Sequence, residues 1–301
     1  MLDGRVAIAG FDSSVACVEP QTLFRQTLRD RTFDVAELSM GSHIASVAAG
    51  DRHYVGVPVF LSRSFRHSNL YVRTDRGIAT PADLAGKRVG LIDFQQTAAL
   101  WLRGLLADDH GVSRDTIRWT TAGLHAPVLE DRMAMTLPEG IVVERSAATL
   151  DGLLRVGEID AVISPTAPRA FADPDVPVAR LWPDYCAQEL HFWQTRQLFP
   201  IMHVLVVRRS LAQAHPGLRD AIFSAFEEAR RLAAADLVNR DFPKVALPWL
   251  SAFASETRAS LGTDPWTYGL AENRATLETM LRYAEDDGLT QHRLTSDALF
   301  E

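Results

Sequence analysis

Short apolar runs alternate with segments of helical periodicity along most of this chain, and this alternation restricts the possible folds more than any other feature. Runs such as Val89–Ile92 have the length of buried strands, while Thr97–Ala107 has apolar residues at helical spacing. Further strands are predicted at Arg5–Ala9, Phe33–Leu38, Tyr54–Phe60, Asn69–Arg73, Ile141–Val143, Ala161–Ser164 and after Leu198, and further helices at Pro20–Arg29, Ile44–Ala49, Thr149–Val156, Gly217–Asn239, Leu247–Ala254 and Thr276–Asp287. Repeated strand–helix units predict an α/β fold whose sheet is mostly parallel and covered by helices on both faces.

Polar side chains stand where predicted strands give way to helices. Ser39 and Ser42 follow one strand, Gln95 and Thr97 follow another, and Ser164 ends a third. Ligands of α/β sheets bind beyond the carboxyl ends of the strands, and a helix N-terminus there offers N–H groups and a positive dipole end to an anion. We therefore expect these five residues to contact a ligand. Helix capping is the alternative role for Ser39, Ser42 and Thr97.

A cluster of basic residues, Arg63, Arg66 and His67, follows the predicted strand Tyr54–Phe60. Arginine binds carboxylates in a bidentate manner, and imidazole titrates near neutral pH, so the cluster suits a carboxylate clamp with an acid beside it. The alternative is a solvated loop whose charges pair with acidic residues. Arg66 and His67 point opposite ways in an extended segment, so at most one of them should contact a substrate. His203 is a second candidate for the acid, with a buried, backbone-bonded histidine as the alternative.

Length and charge limit the remaining function classes. A chain of 301 residues is expected to form two domains, because a single core stops growing at roughly 250–300 residues. The net charge of −7 argues against a nucleic-acid partner. No apolar stretch is long enough for a membrane span and no signal peptide is recognisable, which predicts a cytoplasmic protein. The two cysteines and nine histidines lack zinc-ligand spacing, so no metal site is predicted.

The segment that begins at Thr80 reads Thr-Pro-Ala-Asp-Leu-Ala-Gly-Lys-Arg-Val-Gly and resembles the start of the second lobe in type II periplasmic binding proteins. The chain would return to the first lobe near Phe199–Val207. This resemblance implies an α/β, two-lobed, type II periplasmic-binding-protein-like fold with a ligand cleft between the lobes. Lobe one would comprise residues 1–78 plus 198–301, and lobe two residues 79–197.

A more specific resemblance extends over nearly the whole chain. In order along the sequence, it rests on Phe33-Asp-Val-Ala-Glu-Leu-Ser, Ser64-Phe-Arg-His-Ser, Arg76-Gly-Ile-Ala-Thr-Pro, Trp101-Leu-Arg-Gly, Phe199-Pro-Ile-Met-His, Asn273-Arg-Ala-Thr-Leu-Glu and the tail Leu289–Phe300. Together these segments resemble the 4,5-dihydroxyphthalate decarboxylase family. The resemblance implies a decarboxylase of a hydroxylated aromatic carboxylate that needs no cofactor, with His67 or His203 as general acid and Arg63 or Arg66 as carboxylate clamp.

Two other functions stay open from sequence. The fold also suits a solute-binding protein of an ABC-type uptake system for a small carboxylate. In addition, Thr166 or Ala167 stands where relatives often carry arginine, which leaves room for another lyase of the same fold, such as a dehydratase. In each case the expected partner is a small carboxylate, with neither nucleic acid nor membrane, and a homo-oligomer is possible.

Overall fold

The computed structural model describes residues 1–128 and 135–301 and contains two β-sheets. The strands are β1 (Val35–Ser39), β2 (Tyr54–Arg63), β3 (Leu70–Arg73), β4 (Arg88–Leu91), β5 (Arg118–Thr121), β6 (Val142–Arg145), β7 (Ala161–Ile163), β8 (Val178–Arg180) and β9 (Ile201–Arg208). The α-helices are α1 (Pro20–Arg25), α2 (Met40–Ala48), α3 (Thr97–His110), α4 (Leu150–Val156), α5 (Tyr185–Arg196), α6 (Arg209–Ala214), α7 (Leu218–Asp236), α8 (Leu250–Leu261) and α9 (Leu270–Asp286).

The first sheet has the strand order β1–β9–β2, and both of its strand pairs are antiparallel. The mostly parallel sheet expected from sequence is therefore wrong for this part of the molecule. The physical reason is that β9 comes from a distant part of the chain and inserts between two strands that run in the opposite direction. Pairing between strands so far apart in sequence leaves no local signal.

The second sheet has the order β6–β5–β4–β7–β3–β8. Its β4–β5, β5–β6 and β4–β7 pairs are parallel, whereas β3 is antiparallel to both β7 and β8. Neighbouring residues of these strands bury opposite faces. Leu70 and Ile163 join a core cluster that includes residues of α3, while Tyr71 and Val162 join a second cluster that includes residues of α4. Both faces of this sheet are thus buried, as predicted.

Most predicted elements agree with the structure to within a few residues, but Arg5–Ala9 does not. This segment is irregular; it lies between two glycines with positive φ, Gly4 and Gly10, and buries only Ile8 in the core of the first sheet. The pattern also missed β5, β8, α5 and α6.

The chain passes from the first sheet to the second between Arg63 and Leu70, and returns between Arg180 and Ile201. The predicted boundary at residue 78 would leave β3 in lobe one, although β3 hydrogen-bonds within the second sheet. The lobe boundaries stay a prediction.

Within the two described ranges of the chain, no helix combines the length and the apolar character required to cross a membrane.

Candidate functional site

A row of polar side chains crosses the three strands of the first sheet at one of their ends. Ser39 lies opposite His203 across the β1–β9 pair, and Ser62 lies opposite His203 across the β9–β2 pair. Residues paired in this way project from the same face of a sheet. Because β1 and β2 end here and β9 begins here, the row stands where the chain leaves the sheet toward the rest of the molecule.

The N-termini of α2 and α3 meet beside this row. Thr97 in the first turn of α3 bonds Ser39 through its Oγ1 at 2.9 Å, and the same oxygen accepts the N–H of Gly41 in α2 at 2.9 Å. A Cβ on Gly41 would lie only 2.7 Å from the carbonyl oxygen of Gln95, so glycine permits the close approach. Two positive helix dipole ends converge at this contact, which favours an anion nearby.

Three of the five polar residues predicted at strand ends have buried polar atoms without a hydrogen-bond partner in the described part of the structure: Ser42 Oγ, Gln95 Oε1 and Ser164 Oγ. All three residues have no exposed surface. A buried polar atom without a partner is costly, and such atoms often mark a place where a ligand or water completes the bonding. These atoms are therefore candidates for ligand contact.

Arg66 and Asn69 link the first sheet to the second. Arg66 donates from Nε to the sulfur of Met202 on β9 and from Nη1 to Asn69 Oδ1, each at 3.0 Å. The carbonyl of Asn69 in turn accepts the N–H of Ser164 at 2.9 Å. Burial lowers the pKa of Arg66 to about 10, which still leaves its guanidinium charged at neutral pH. Arg66 is thus a partly buried cation bonded to two neutral acceptors, and one of them, Asn69, also bonds the backbone of Ser164.

His203 forms an acid–base pair that sequence reasoning only half identified. Its Nδ1 lies 2.5 Å from Oε1 of Glu37, and its ring packs edge-on against Phe24 at 4.9 Å. Glu37 and Ser39 are two residues apart on β1 and therefore share a face, which is the signal that could have located Glu37. A carboxylate at Nδ1 fixes the orientation and the tautomer of the ring.

Arg63 uses its side chain within the protein. Its two Nη atoms donate to the carbonyls of Phe199 and Thr267 and to Asn273 Oδ1, and it is only 5% exposed. Burial lowers its pKa to about 10. These contacts tie β2 to the segment before β9 and to the start of α9, so Arg63 belongs to an internal bonding network.

His67 lies toward the opposite end of α3 from Thr97. Its ring contacts Trp182 and Phe192, and Trp182 in turn contacts His110, the last residue of α3. A helix of 14 residues is about 20 Å long, so His67 is separated from the contact between α2 and α3. Burial lowers its pKa to about 4, which keeps it neutral at pH 7. His67 and Arg66 thus have different neighbours, although the segment from His67 to Asn69 is a 3-10 turn and not the extended strand that the alternation assumed.

Glu189 on α5 is a residue that sequence reasoning missed. Its Oε1 accepts the N–H of Ser68 at 3.4 Å, and burial raises its pKa to about 7 in spite of nearby Arg66. The carbonyl of Ser68 accepts a hydrogen bond from Nε of Arg180 at 3.0 Å. The backbone of Ser68 is thus held on both sides by side chains of α5 and β8. The Asp184 side chain, which caps α5 by accepting the Ala187 N–H, was the available sequence signal.

No group of three or more His, Cys, Asp or Glu side chains is arranged to hold a metal ion among residues 1–128 and 135–301.

Two sheets joined by crossing segments, with polar residues where they meet, define the type II periplasmic-binding-protein-like fold. The periplasmic sulfonate-binding protein SsuA of Methylobacillus flagellatus KT superimposes with a TM-score of 0.56 at 14% identity, over 93% of this chain and 76% of that protein. That likeness shows the fold alone. Residues 27–146 match the family model described as NMT1/THI5 like.

Sequence comparison identifies the family. The chain is 38% identical to 4,5-dihydroxyphthalate decarboxylase of Comamonas testosteroni over 302 aligned positions, which cover 100% of this chain and 92% of that protein. It is 39% identical to 4,5-dihydroxyphthalate decarboxylase of Pseudomonas putida over 186 positions, which cover 61% of this chain and 72% of that protein. The chain belongs to the 4,5-dihydroxyphthalate decarboxylase family, as its sequence motifs predicted.

Proposed function

We propose that this protein is a carboxy-lyase that removes one carboxylate as CO2 from a hydroxylated aromatic acid of the 4,5-dihydroxyphthalate type. Family membership supports the reaction class. The observation that carries the assignment of the site is the gathering of a partly buried cation, an acid–base pair and unpartnered polar atoms around the contact between α2 and α3.

Binding begins with Arg66. An aromatic dicarboxylate carries two negative charges, and the partly buried guanidinium of Arg66 can bind one of them through its N–H donors. The positive dipole ends of α2 and α3 meet at Thr97 and also favour a negatively charged carboxylate nearby. Ser42, Gln95 and Ser164 supply hydrogen-bonding groups for ring hydroxyls or for a carboxylate. Water can replace a ligand as the hydrogen-bond partner of these neutral groups at little cost in free energy. Charge and shape therefore decide which ligand the site binds.

His203 then provides the proton. In the balanced reaction, the ring carbon gains a proton from Nε2 of the imidazolium, the bond to the carboxylate breaks, and its electron pair stays with the ring as CO2 leaves. Glu37 at Nδ1 holds the ring in one orientation before and after the transfer. A phenolic oxygen on the substrate pushes electron density toward the carbon that is protonated.

The first test is CO2 release and ultraviolet change with purified protein and 4,5-dihydroxyphthalate, with and without added divalent metal. Turnover supports the proposal. Tight binding of this or another aromatic acid without turnover would contradict it and would favour a solute-binding role. Turnover of a different carboxylate would select another lyase of the same fold.

Two variants test the assigned roles. His203→Asn should bind substrate with a nearly unchanged Kd but lose turnover by about 100-fold or more, as expected on removal of a general acid. Arg66→Ala should raise KM, since it loses a charge-assisted bond worth about 1.5–3 kcal/mol. Arg118→Ala, an exposed arginine at the start of β5, is the matched control and should change neither quantity. Full activity in His203→Asn, with activity lost in His67→Ala, would move the acid to His67.

A further inference from the structure

Large exposed apolar side chains are concentrated in one short stretch of the chain. Six of the eleven that the described residues expose lie between positions 237 and 253. They are Leu237, Phe242, Val245, Leu247, Trp249 and Phe253, and they form what we call the α7–α8 patch. Phe242 is 73% exposed and Trp249 is 70% exposed. Monomeric proteins rarely leave a contiguous apolar patch of this kind uncovered.

The patch is built by a chain segment that folds back on itself. Asn239 accepts the N–H groups of Asp241 and Phe242 through its side-chain oxygen, and Arg240 donates to Ser251 Oγ at 3.0 Å. These bonds bring the residues after α7 next to the first turn of α8. The apolar side chains on both sides of this turn therefore belong to one surface.

Helix α8 lacks the buried face that a helix of its length normally has. It has 12 residues and no buried side chain, whereas every other described helix of eight or more residues buries at least one. Helical stability in proteins comes mainly from packing of an apolar face. The isolated chain leaves this packing incomplete at α8, with Phe253 half exposed at its margin.

Charges around the patch are balanced, which favours a second copy over a charged partner. Arg240, Lys244 and Arg258 are matched in number by three acidic residues, Asp236, Asp241 and Glu256, although the whole chain carries −7. Two such surfaces can approach without net repulsion and can pair opposite charges across a twofold axis. An anionic membrane or nucleic acid would gain no net attraction here.

The apolar area that the α7–α8 patch exposes is a large part of the area that each partner of a dimer buries. Three aromatic and three aliphatic side chains exposed to this extent present on the order of 600 Å². A specific interface buries about 800 Å² on each partner, with Trp and Phe enriched at its centre. We propose that the α7–α8 patch is the surface through which two copies of this chain associate in solution.

The test measures mass in solution by light scattering during size-exclusion chromatography of the full chain. The wild type should have a mass of two or more chains of 33.3 kDa each, and Trp249→Glu should have at most half the mass of the wild type. Val156→Glu is the matched control, because Val156 is 67% exposed outside the patch, and it should keep the wild-type mass. Circular dichroism and Tm should be alike in all three proteins.

A second measurement uses the unaltered protein, so that it holds even if a variant fails to fold. Amide hydrogen exchange of residues 237–253 should slow as protein concentration rises, whereas the segment around Val156 should not respond. A monomeric wild type, or concentration-dependent protection confined to another surface, would overturn the proposal. A monomer that floats with neutral lipid vesicles through Trp249 would overturn it too, and would assign the patch to a membrane surface.

Discussion

A single residue, Ser68, fixes the loop that carries Arg66. The N–H of Ser68 donates to Glu189 and its carbonyl accepts from Arg180, so α5 and β8 hold the loop from two sides. Glu189 is partly buried, and its pKa is raised from about 4.5 to about 7 because burial disfavours the charged form more than Arg66 and the backbone N–H groups favour it. The loop is therefore anchored by a group that titrates near neutral pH.

Ionisation of Glu189 should make stability fall as pH rises. Below about pH 4.5 the carboxyl is protonated in both the folded and the unfolded chain, so it has no pH-dependent effect there. Between about 4.5 and 7 the unfolded chain ionises first, which favours unfolding. We expect the free energy of unfolding of the wild type, relative to Glu189→Gln, to fall by roughly 1–3 kcal/mol between these limits.

Urea unfolding at a series of pH values measures this difference. Glu278→Gln removes a carboxylate that is 59% exposed on α9 and should give a curve parallel to the wild type. If Glu189→Gln were also parallel to the wild type, Glu189 would titrate normally and its burial would not govern the loop.

Residue types at strand ends were predictable, but their partners were not. Ser39, Thr97 and His203 were identified because they stand where a strand meets a helix or where the chain returns to the first sheet. Glu37 could have been found by its alternation with Ser39. The internal role of Arg63 depends on Asn273, more than 200 residues away, and no local pattern reveals such a bond.

At the scale of elements, the approach of α2 to α3 determines the geometry of the candidate site. Gly41 has no Cβ, and this lets its N–H reach Thr97 Oγ1 while Ser39 bonds the same oxygen. Glycine within a helix costs about 0.5–1 kcal/mol relative to alanine, so its presence in the first turn of α2 needs such a reason.

Gly41→Ala should therefore damage function although it raises helix propensity. The added Cβ would lie 2.7 Å from the Gln95 carbonyl oxygen and 3.2 Å from Thr97 Oγ1, so the two helix ends must move apart. We expect a loss of about 1–3 kcal/mol in unfolding free energy, typical of overpacking, together with a raised KM. Ser46→Ala on the same helix is the control and should change KM little; an unchanged KM in Gly41→Ala would show that this contact does not shape the site.

Strand and helix positions followed from periodicity, whereas strand order did not. The start of α3 at Thr97 and the buried strand before it were predicted well, because a polar turn separates two apolar patterns. The antiparallel insertion of β9 between β1 and β2 was not, since it pairs residues about 170 positions apart, such as Val35 with Val207. Such pairing is decided by which faces must be buried together, and the sequence alone does not express that choice.

For the whole molecule, α3 joins the two sheet regions. It packs Ala99, Leu102, Leu105 and Leu106 in the core of the second sheet and Ala98, Leu100 and Trp101 in the core of the first, where it contacts α9. Charged groups reinforce this junction. Arg103 of α3 donates from Nε to Asp287 just after α9 at 2.7 Å, both side chains are fully buried, and Arg114 also bonds Asp287. Asp108 bonds Arg282 and Tyr283 nearer the surface.

Removal of the charge at Asp287 should weaken this junction strongly. Asp287→Asn leaves the buried guanidinium of Arg103 without its counter-charge, and breaking one side of a buried pair costs about 3–5 kcal/mol. Asp286→Asn is the matched control, because Asp286 is 37% exposed and lies 3.6 Å from Arg114 and from Arg282; it should cost less than about 1 kcal/mol.

Urea unfolding followed by both tryptophan fluorescence and circular dichroism measures the two costs. If the pair couples the two sheet regions, the probes should coincide in the wild type and separate in Asp287→Asn, as one region unfolds before the other. Equal midpoints for the two variants would mean that α3 is held to α9 by apolar packing alone.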